Sequence, residues 1–453
     1  MTNYDVIVAG AGTAGSVAAA GLAHHGLKVA LYDRLRKDDI GVKICGDASS
    51  LDHFKKIESI IGVSPPKGDE ILQRVKGAWL YSPDREVKLE LVEKNSTGVI
   101  LDRFKMGMRT LDTAMDYGAE LIDDTRVKEP IVEKDRVVGI RYRSKDNSLK
   151  EDFAKVTIDA TGINAFLRRN LDPEKTYMDR FLDPKDICKC YRELRDTETE
   201  IESPEFIRLM FDQEICPGGY IWEFPRGPRS MNVGLGVMKI NNLSPQKQFQ
   251  VFMESVKGFY KESEIIHGGG WPVPLRRPQD NLVWNGFMLI GDAGTQVKPT
   301  DGGGIGISVN AAAMATKTIT KALENGDVSQ AGLWDYSVEF MTTIGPVTAP
   351  LAIMKDFIVP MPSELINKVF HKRILGEDDL LYGNSTGQLS AGSFTKNLAR
   401  VWRGRSMLGT LLKFRGILNR MNNARDLYED YPRSPDGFLS WRSKIKRLYG
   451  EVA

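Results

Sequence analysis

Two glycine-rich stretches and one aromatic run hold most of the chemistry this chain can do. The first stretch reads Val6-Ile7-Val8-Ala9-Gly10-Ala11-Gly12-Thr13-Ala14-Gly15. The second reads Leu289-Ile290-Gly291-Asp292-Ala293-Gly294, followed by Pro299 and then Gly302-Gly303-Gly304-Ile305. In the first, Gly10 permits a tight turn after a strand, Gly12 lets backbone N–H groups approach a pyrophosphate, and Gly15 lets the next helix pack closely on the sheet. A helix starting there, with Ala14 in its first turn, aims unpaired N–H groups and its dipole at negative charge. Asp33, after the next strand, is placed to accept hydrogen bonds from ribose hydroxyls. The aromatic run is Tyr220-Ile221-Trp222-Glu223-Phe224-Pro225. On a strand, Tyr220, Trp222 and Phe224 share one face. Aromatic faces attract cations by ~0.5–2 kcal/mol each, but spacing alone fits an ordinary core stripe as well.

The first stretch implies a dinucleotide, and the second narrows it to a flavin. Asp292 follows a buried strand and can bind a ribityl or phosphate-side hydroxyl. Pro299 to Gly304 then brings bare backbone to the start of a long helix. A helix N-terminus at the pyrimidine edge of a flavin stabilises the anionic reduced ring, a service a simple nicotinamide dehydrogenase does not need. FAD is therefore the expected cofactor. Asp159-Ala160-Thr161-Gly162 follows another buried strand, so Thr161 and Gly162 are expected in a loop closing over it. Arg103 opens a helix and either reaches the ribityl or pyrophosphate region or is an ordinary solvated first-turn residue.

These residues need elements to hold them. Residues 4–9, 13–25 and 29–32 read as strand, helix and strand, a βαβ unit. Alternation across 71–91, with a Ser82-Pro83-Asp84 turn, predicts a hairpin. Residues 102–117 read as a helix ended by Gly118, 127–143 as a strand pair, 155–160 and 282–290 as buried strands, and 304–323 as an Ala-rich helix. The fold class is α/β: a Rossmann-like FAD-binding domain interleaved with an antiparallel-sheet substrate domain, then a helical C-terminal region. The expected boundaries are 1–70, 100–175 and 275–330 for the first, 71–99 and 176–274 for the second, and 331–453 for the third.

Composition removes several alternatives. Lys plus Arg number 62 against 60 Asp plus Glu, a net charge of +2, so the chain as a whole is not built for nucleic acid. No run of about 18 apolar residues offers a membrane span. Met1 leads directly into an apolar strand, without a signal-peptide pattern. Four cysteines suit free thiols in a cytoplasmic chain, and neither they nor the five scattered histidines make a metal spacing. Charge is uneven: residues 395–453 carry 13 Lys+Arg against 5 Asp+Glu, among Trp402, Leu411, Leu412, Phe414, Ile417, Leu418, Phe438 and Trp441. That mixture fits either a peripheral membrane-surface helix or a helical tail packed on the body.

Together these motifs resemble flavoproteins of the p-hydroxybenzoate hydroxylase type. A sharper likeness lies in Pro217-Gly218-Gly219-Tyr220-Ile221-Trp222-Glu223-Phe224-Pro225 with Gly234-Leu235-Gly236 after it, which resembles the signature of archaeal geranylgeranyl reductases, the digeranylgeranylglycerophospholipid reductase family. Lys43-Ile44-Cys45-Gly46-Asp47 is similar to that family's cysteine–glycine segment. The resemblance implies FAD, held in part by Cys45 and Gly46, and an isoprenoid lipid substrate. It implies C=C hydrogenation, with Tyr220, Trp222 and Phe224 lining the substrate cavity and Cys45, Tyr220 and Trp222 catalytic.

An isolated trisubstituted alkene lacks an electron-withdrawing group, so protonation should lead and hydride follow. Cys45 is the proton-donor candidate. Asp47, bound water and the reduced flavin are rivals. Apolar residues within 346–359 suit either a curved tunnel or domain packing, and Arg276, Arg277 or Lys298 is expected to meet a headgroup. The electron donor is open between NADPH and reduced ferredoxin. The main rival is a flavin monooxygenase or halogenase on the same fold, although a tryptophan halogenase would show WxWxIP where this chain has Tyr-Ile-Trp-Glu-Phe-Pro. A non-catalytic FAD- or lipid-binding protein is a further alternative.

Overall fold

The computed structural model describes residues 4–451 apart from 56, 375 and 381–407. Its first layer is an eight-stranded sheet whose centre is parallel. Tyr4–Ala9 lies between Val29–Tyr32 and Leu149–Asp159, and the latter pairs in parallel with Phe287–Leu289. Val6, Ile7, Val8 and Ala9 are fully buried, as a strand covered on both faces requires. Thr13–His24 returns across this sheet and packs against the long helix Ile305–Glu324. The approach is close: a Cβ on Gly21 would lie 2.6 Å from Thr316 Oγ1.

The second layer is a seven-stranded sheet in the order Ser263–Pro274, Ile187–Thr197, Ser230–Met238, Ile221–Gly227, Phe206–Met210, Gly77–Tyr81, Lys88–Val92. It is antiparallel except where Phe206–Met210 meets Gly77–Tyr81. A three-stranded sheet of Ala48–Ser50, Gly98–Leu101 and Ile71–Val75 adjoins it.

Several local readings change. The hairpin begins at Gly77, because Ile71–Val75 pairs with Gly98–Leu101 in the small sheet instead. Residues 282–290 hold a short antiparallel pair, Val283–Trp284 with Phe287–Leu289, reversed at Gly286 where φ is +66°. The helix at 102–117 runs Arg103–Asp116, capped by Asp102, whose carboxylate accepts from Phe104 N and Lys105 N.

The C-terminal helices Leu408–Glu429 and Phe438–Tyr449 close the body. Phe414 and Leu418 pack on Leu351, Ile353 and Met354 of the helix Gly345–Ile358. Phe438 and Trp441 join the main core. These apolar side chains are therefore committed to domain packing, as are Leu351, Ile353 and Met354, rather than to a bilayer or a tunnel. Leu412 remains exposed. Trp402 and the Leu411 side chain lie outside the described residues. Among the described residues, no helix is long and apolar enough to cross a membrane.

Candidate active site

Three turns far apart in sequence close on one another at the ends of the parallel strands. Ala160 N donates to the Ala9 carbonyl at 2.8 Å and Ile290 N to the Asp159 carbonyl at 3.1 Å, so residues 159–162 sit between the two glycine stretches. A Cβ on Gly10, where φ is +103°, would strike the Ala160 carbonyl, and one on Gly15 would strike the Gly10 carbonyl. A Cβ on Gly291 would lie 3.1 Å from the Ala14 methyl. Gly12 differs: nothing lies within 4 Å of its Cβ position, so its backbone faces open space.

The groups around that space suit a diphosphate and a polyhydroxyl chain. Ala11, Gly12 and Thr13 share a small cavity with Lys43 and Arg103. Arg103 Nη2 donates to Thr13 Oγ1 at 2.6 Å, while its buried Nε has no protein partner. Burial draws the Lys43 pKa down to about 8. Two cations, one with an idle donor, beside bare amides at a helix N-terminus make an anion site.

Asp33 accepts from Ala11 N at 2.7 Å and Leu35 N at 2.9 Å, bracing the first glycine turn with lone pairs left for hydroxyls. Thr161 Oγ1 donates to Asp159 Oδ1 at 2.6 Å and accepts from Phe166 N at 2.7 Å, fixing the loop that contains Gly162. On the other side, Gly291 N donates to Gln296 Oε1 at 2.6 Å. Burial pushes the Asp292 pKa up to about 6 with no described partner to offset it. Such a carboxylate wants hydroxyl donors. Pro299 is buried, Gly302 N donates to the Lys298 carbonyl at 2.9 Å, and Gly303 N to Asp301 Oδ1 at 2.8 Å. Gly304 then leads into Ile305, with its Cβ position 3.9 Å from Asp292 Oδ1.

The aromatic strand lies across this junction. Tyr220 and Trp222 ring centroids are 6.1 Å apart, and Trp222 and Phe224 6.3 Å, so the three form one wall. Tyr220 donates to the Asp301 carbonyl at 2.5 Å, which ties the wall to the second glycine stretch. The segment Cys45-Gly46-Asp47 lies on the same wall: a Cβ on Gly46 would be 2.7 Å from Phe224 Cε2 and 3.7 Å from Trp222 Nε1. Gly234 and Gly236 make room behind it. A Cβ on Gly234 would lie 2.6 Å from both Trp222 Cε2 and Arg192 Cβ, and one on Gly236 would lie 2.7 Å from Cys188 Sγ.

One residue holds these pieces together. Asn232 is fully buried. Its Oδ1 accepts from Trp222 Nε1 at 2.9 Å, and its Nδ2 donates to the Cys45 carbonyl at 2.7 Å and Asp47 Oδ2 at 2.9 Å. Neither Asn232 nor Arg192 stood out in the sequence, and Lys43 did so only as part of the cysteine–glycine segment; Arg192 Nη2 donates to the Lys43 carbonyl at 2.8 Å. A usable signal existed for Asn232: it is a buried-strand amide in phase with Gly234 and Gly236, between apolar Met231 and Val233.

Electrostatics here favour protonated acids. Burial pushes the Cys45 thiol pKa up, against the pull of Arg103, so the sulfur keeps its proton at neutral pH. Its Sγ accepts from Asp47 N at 3.4 Å. Burial pushes the Asp47 pKa up to about 6, opposed by Arg103, Arg192, Arg226 and the Asn232 hydrogen bond. Asp47 also has φ of +67°, and its Oδ1 has no partner. The three cations expected to meet a headgroup are otherwise engaged: Arg276 pairs with Asp179 at 2.5 Å, Arg277 with Glu451 at 2.7 Å and with Asp280, and Lys298 with Asp301 at 3.1 Å. Arg277 is 1 % exposed, which places it in the interior as a structural ion pair.

Comparison with known proteins accords with this geometry. Residues 5–169 match the FAD dependent oxidoreductase family, and residues 186–271 match the geranylgeranyl reductase catalytic domain. A geranylgeranyl bacteriochlorophyll reductase-like protein from Thermoplasma acidophilum has a similar structure, with a TM-score of 0.72 at 24% identity over 89% of this chain and 98% of that one. The flavin-dependent brominase Bmp2 shares the fold more distantly, with a TM-score of 0.63 at 16% identity over 90% of this chain and 99% of that one. The class is thus an FAD-dependent oxidoreductase. The digeranylgeranylglycerophospholipid reductase of Sulfolobus acidocaldarius is 35% identical over 99% of this chain and 98% of its own length. The chain belongs to the digeranylgeranylglycerophospholipid reductase family.

Proposed function

We propose that this protein hydrogenates the C=C bonds of geranylgeranyl chains, carried on archaeal ether lipids or isoprenoid diphosphates. The observation that carries this reading is the Cys45-Gly46-Asp47 segment seated on the Trp222–Phe224 wall, beside the turns suited to FAD. When bound, FAD supplies a hydride with its electron pair. Gly10, Gly12, Ala14, Gly15, Arg103 and Asp33 would hold its diphosphate and adenosine half. Thr161, Gly162, Gly291, Asp292, Pro299 and residues 302–305 would hold the remainder, with Cys45 and Gly46 at the ring.

An alkene takes up one proton and one hydride, so the site needs a proton source and shelter for a carbon gaining positive charge. Trp222 and Phe224, 7% and 8% exposed, exclude water and present π-faces to that carbon. Cys45 holds a proton on Sγ, and Asp47, with its raised pKa, holds one at mildly acidic pH or relays it. Asn232 positions these groups, and Tyr220, tied to the Asp301 carbonyl, extends the wall of aromatic faces beside the reacting carbon. The electrons come from an external donor, NADPH or reduced ferredoxin. A lipid of this kind is met at a cytoplasmic membrane surface, so peripheral contact there belongs to the proposal.

The rival is oxygen chemistry on the same fold. With an electron donor and air, the proposal predicts saturated lipid containing no new oxygen or halogen, by mass spectrometry. Oxygenated or halogenated product without alkene reduction would overturn it.

A further inference from the structure

We propose that a basic cavity beside the aromatic wall binds the phosphate of the lipid substrate, and so admits the chain headgroup-last. This rests on the geranylgeranyl reading above and names the part of the molecule that recognises the headgroup. The cavity measures about 600 Å³ and lies between the loop after Gly162 and the edge of the seven-stranded sheet. That size falls in the usual range of small-molecule sites, ~300–1,000 Å³. Its cationic lining is Arg168, Arg169, Arg180, Lys189 and Lys239, and no described carboxylate lines it. In a chain with 62 basic and 60 acidic residues, such a lining marks an anion site.

The cations are not spent on one another's neighbours in the same way. Arg168 is structural, since its N–H donates to Asp159 Oδ2 at 2.8 Å and its guanidinium to the Asp179 carbonyl. Arg169 lies over the Phe166 ring at 4.3 Å, and Lys189 Nζ donates to the Leu243 carbonyl at 3.0 Å, so both contacts are with neutral groups. Arg180 and Lys239 are exposed at the rim. Between the charges the walls are apolar, with Phe181, Ile187 and Trp271 among them. Phe181 is 72% exposed, more than any other large apolar residue among those described.

The inner wall connects to the chemistry. Cys190 lines the cavity and also packs against the Trp222–Phe224 cluster. A ligand with a phosphate at one end and an isoprenoid at the other therefore meets cations at the rim and the aromatic wall beyond Cys190. The cavity lining includes none of Gly12, Asp33, Arg103 or Asp292, and it adjoins the glycine turns through Ile163, Asn164, Arg168 and Trp271, over whose ring Arg34 lies at 5.5 Å. These cations replace Arg276, Arg277 and Lys298 as the headgroup partners.

The test uses dithionite-reduced, FAD-loaded protein under anaerobic conditions in detergent, with geranylgeranyl diphosphate and geranylgeraniol as paired substrates. Arg180 and Lys239 are exposed and belong neither to the glycine turns nor to the aromatic wall, so Arg180→Ala and Lys239→Ala probe the headgroup contact alone. Each should raise KM for the diphosphate about tenfold, the order expected for one charge-assisted contact. The value of kcat, and KM for the alcohol, should hold. Unchanged KM for the diphosphate, with alkene reduction intact, would overturn the cavity assignment and leave the function reading standing. Loss of NADPH-driven flavin reduction, with the dithionite-driven lipid KM unchanged, would assign the phosphate to the electron donor and likewise overturn it. Failure of the unaltered protein to reduce either lipid would remove the function reading and this proposal with it.

Discussion

Replacing Asn232 by leucine tests whether the site is a linked unit. The side chain is fully buried and makes three hydrogen bonds, to Trp222, the Cys45 carbonyl and the Asp47 carboxylate. Leucine fills the volume and strands all three partners. At ~1–3 kcal/mol for each of the three buried groups left unpaired, the expected loss is about 3–9 kcal/mol. The loss should also depend on pH. Burial raises the folded-state Asp47 pKa to about 6, so the stability this group contributes is fully present below the ordinary carboxyl range and is lost as pH rises through about 6. The Asn232 bond favours the ionised carboxylate, so its removal raises that pKa further and adds a penalty that appears only as pH rises through the same range. Urea unfolding of the FAD-loaded protein, followed by tryptophan fluorescence at acidic and alkaline pH, reads both effects. Asn232→Leu should destabilise more at pH 8 than at pH 5 and slow anaerobic flavin reoxidation by lipid. A loss under ~1 kcal/mol, or one equal at both pH values, would refute the reasoning.

Three further substitutions separate cofactor, wall and proton. Gly10→Ala forces a Cβ against the Ala160 carbonyl at φ of +103°. Left-handed strain alone is ~1–2 kcal/mol, so FAD affinity should fall at least about tenfold in a flavin titration. Unchanged affinity would remove Gly10 from the cofactor turn. Gly234→Ala puts a methyl 2.6 Å from Trp222 Cε2. At ~1–3 kcal/mol of overpacking, it should slow alkene reduction with FAD still bound, and an unchanged rate would detach Trp222 from the substrate. Cys45→Ser should lower the anaerobic reoxidation rate by ~10²–10⁴ if the thiol is the proton donor. A rate within a few-fold of the unaltered protein would pass that role to Asp47.

The glycine turns were legible because local rules make them. Gly10, Gly12 and Gly15 each answer a requirement of one βαβ unit, and all the needed residues lie within a single short segment. The meeting of that segment with Gly291 and Thr161 was an inference of order along the chain, since no local rule shows that Ala14 lies against Gly291. The engagement of Arg276, Arg277 and Lys298 was hidden for a related reason. Arg277 looks available until Glu451 folds onto it from the far end of the chain. Composition left the basic tail open between a membrane surface and packing on the body, and the burial of Phe414, Leu418, Phe438 and Trp441 favours packing. Asn232 was hidden because a lone amide on a strand has no meaning until its three partners, from two other elements, surround it.

The most direct measurement mixes FAD-loaded, fully reduced protein with a geranylgeranyl ether phospholipid in the absence of oxygen, recording flavin absorbance and lipid mass together. Oxidised flavin should return in step with lipid saturation, one flavin turning over for each double bond that gains H₂. Flavin that stays reduced beside unaltered lipid, yet reoxidises once oxygen is admitted, would contradict the account.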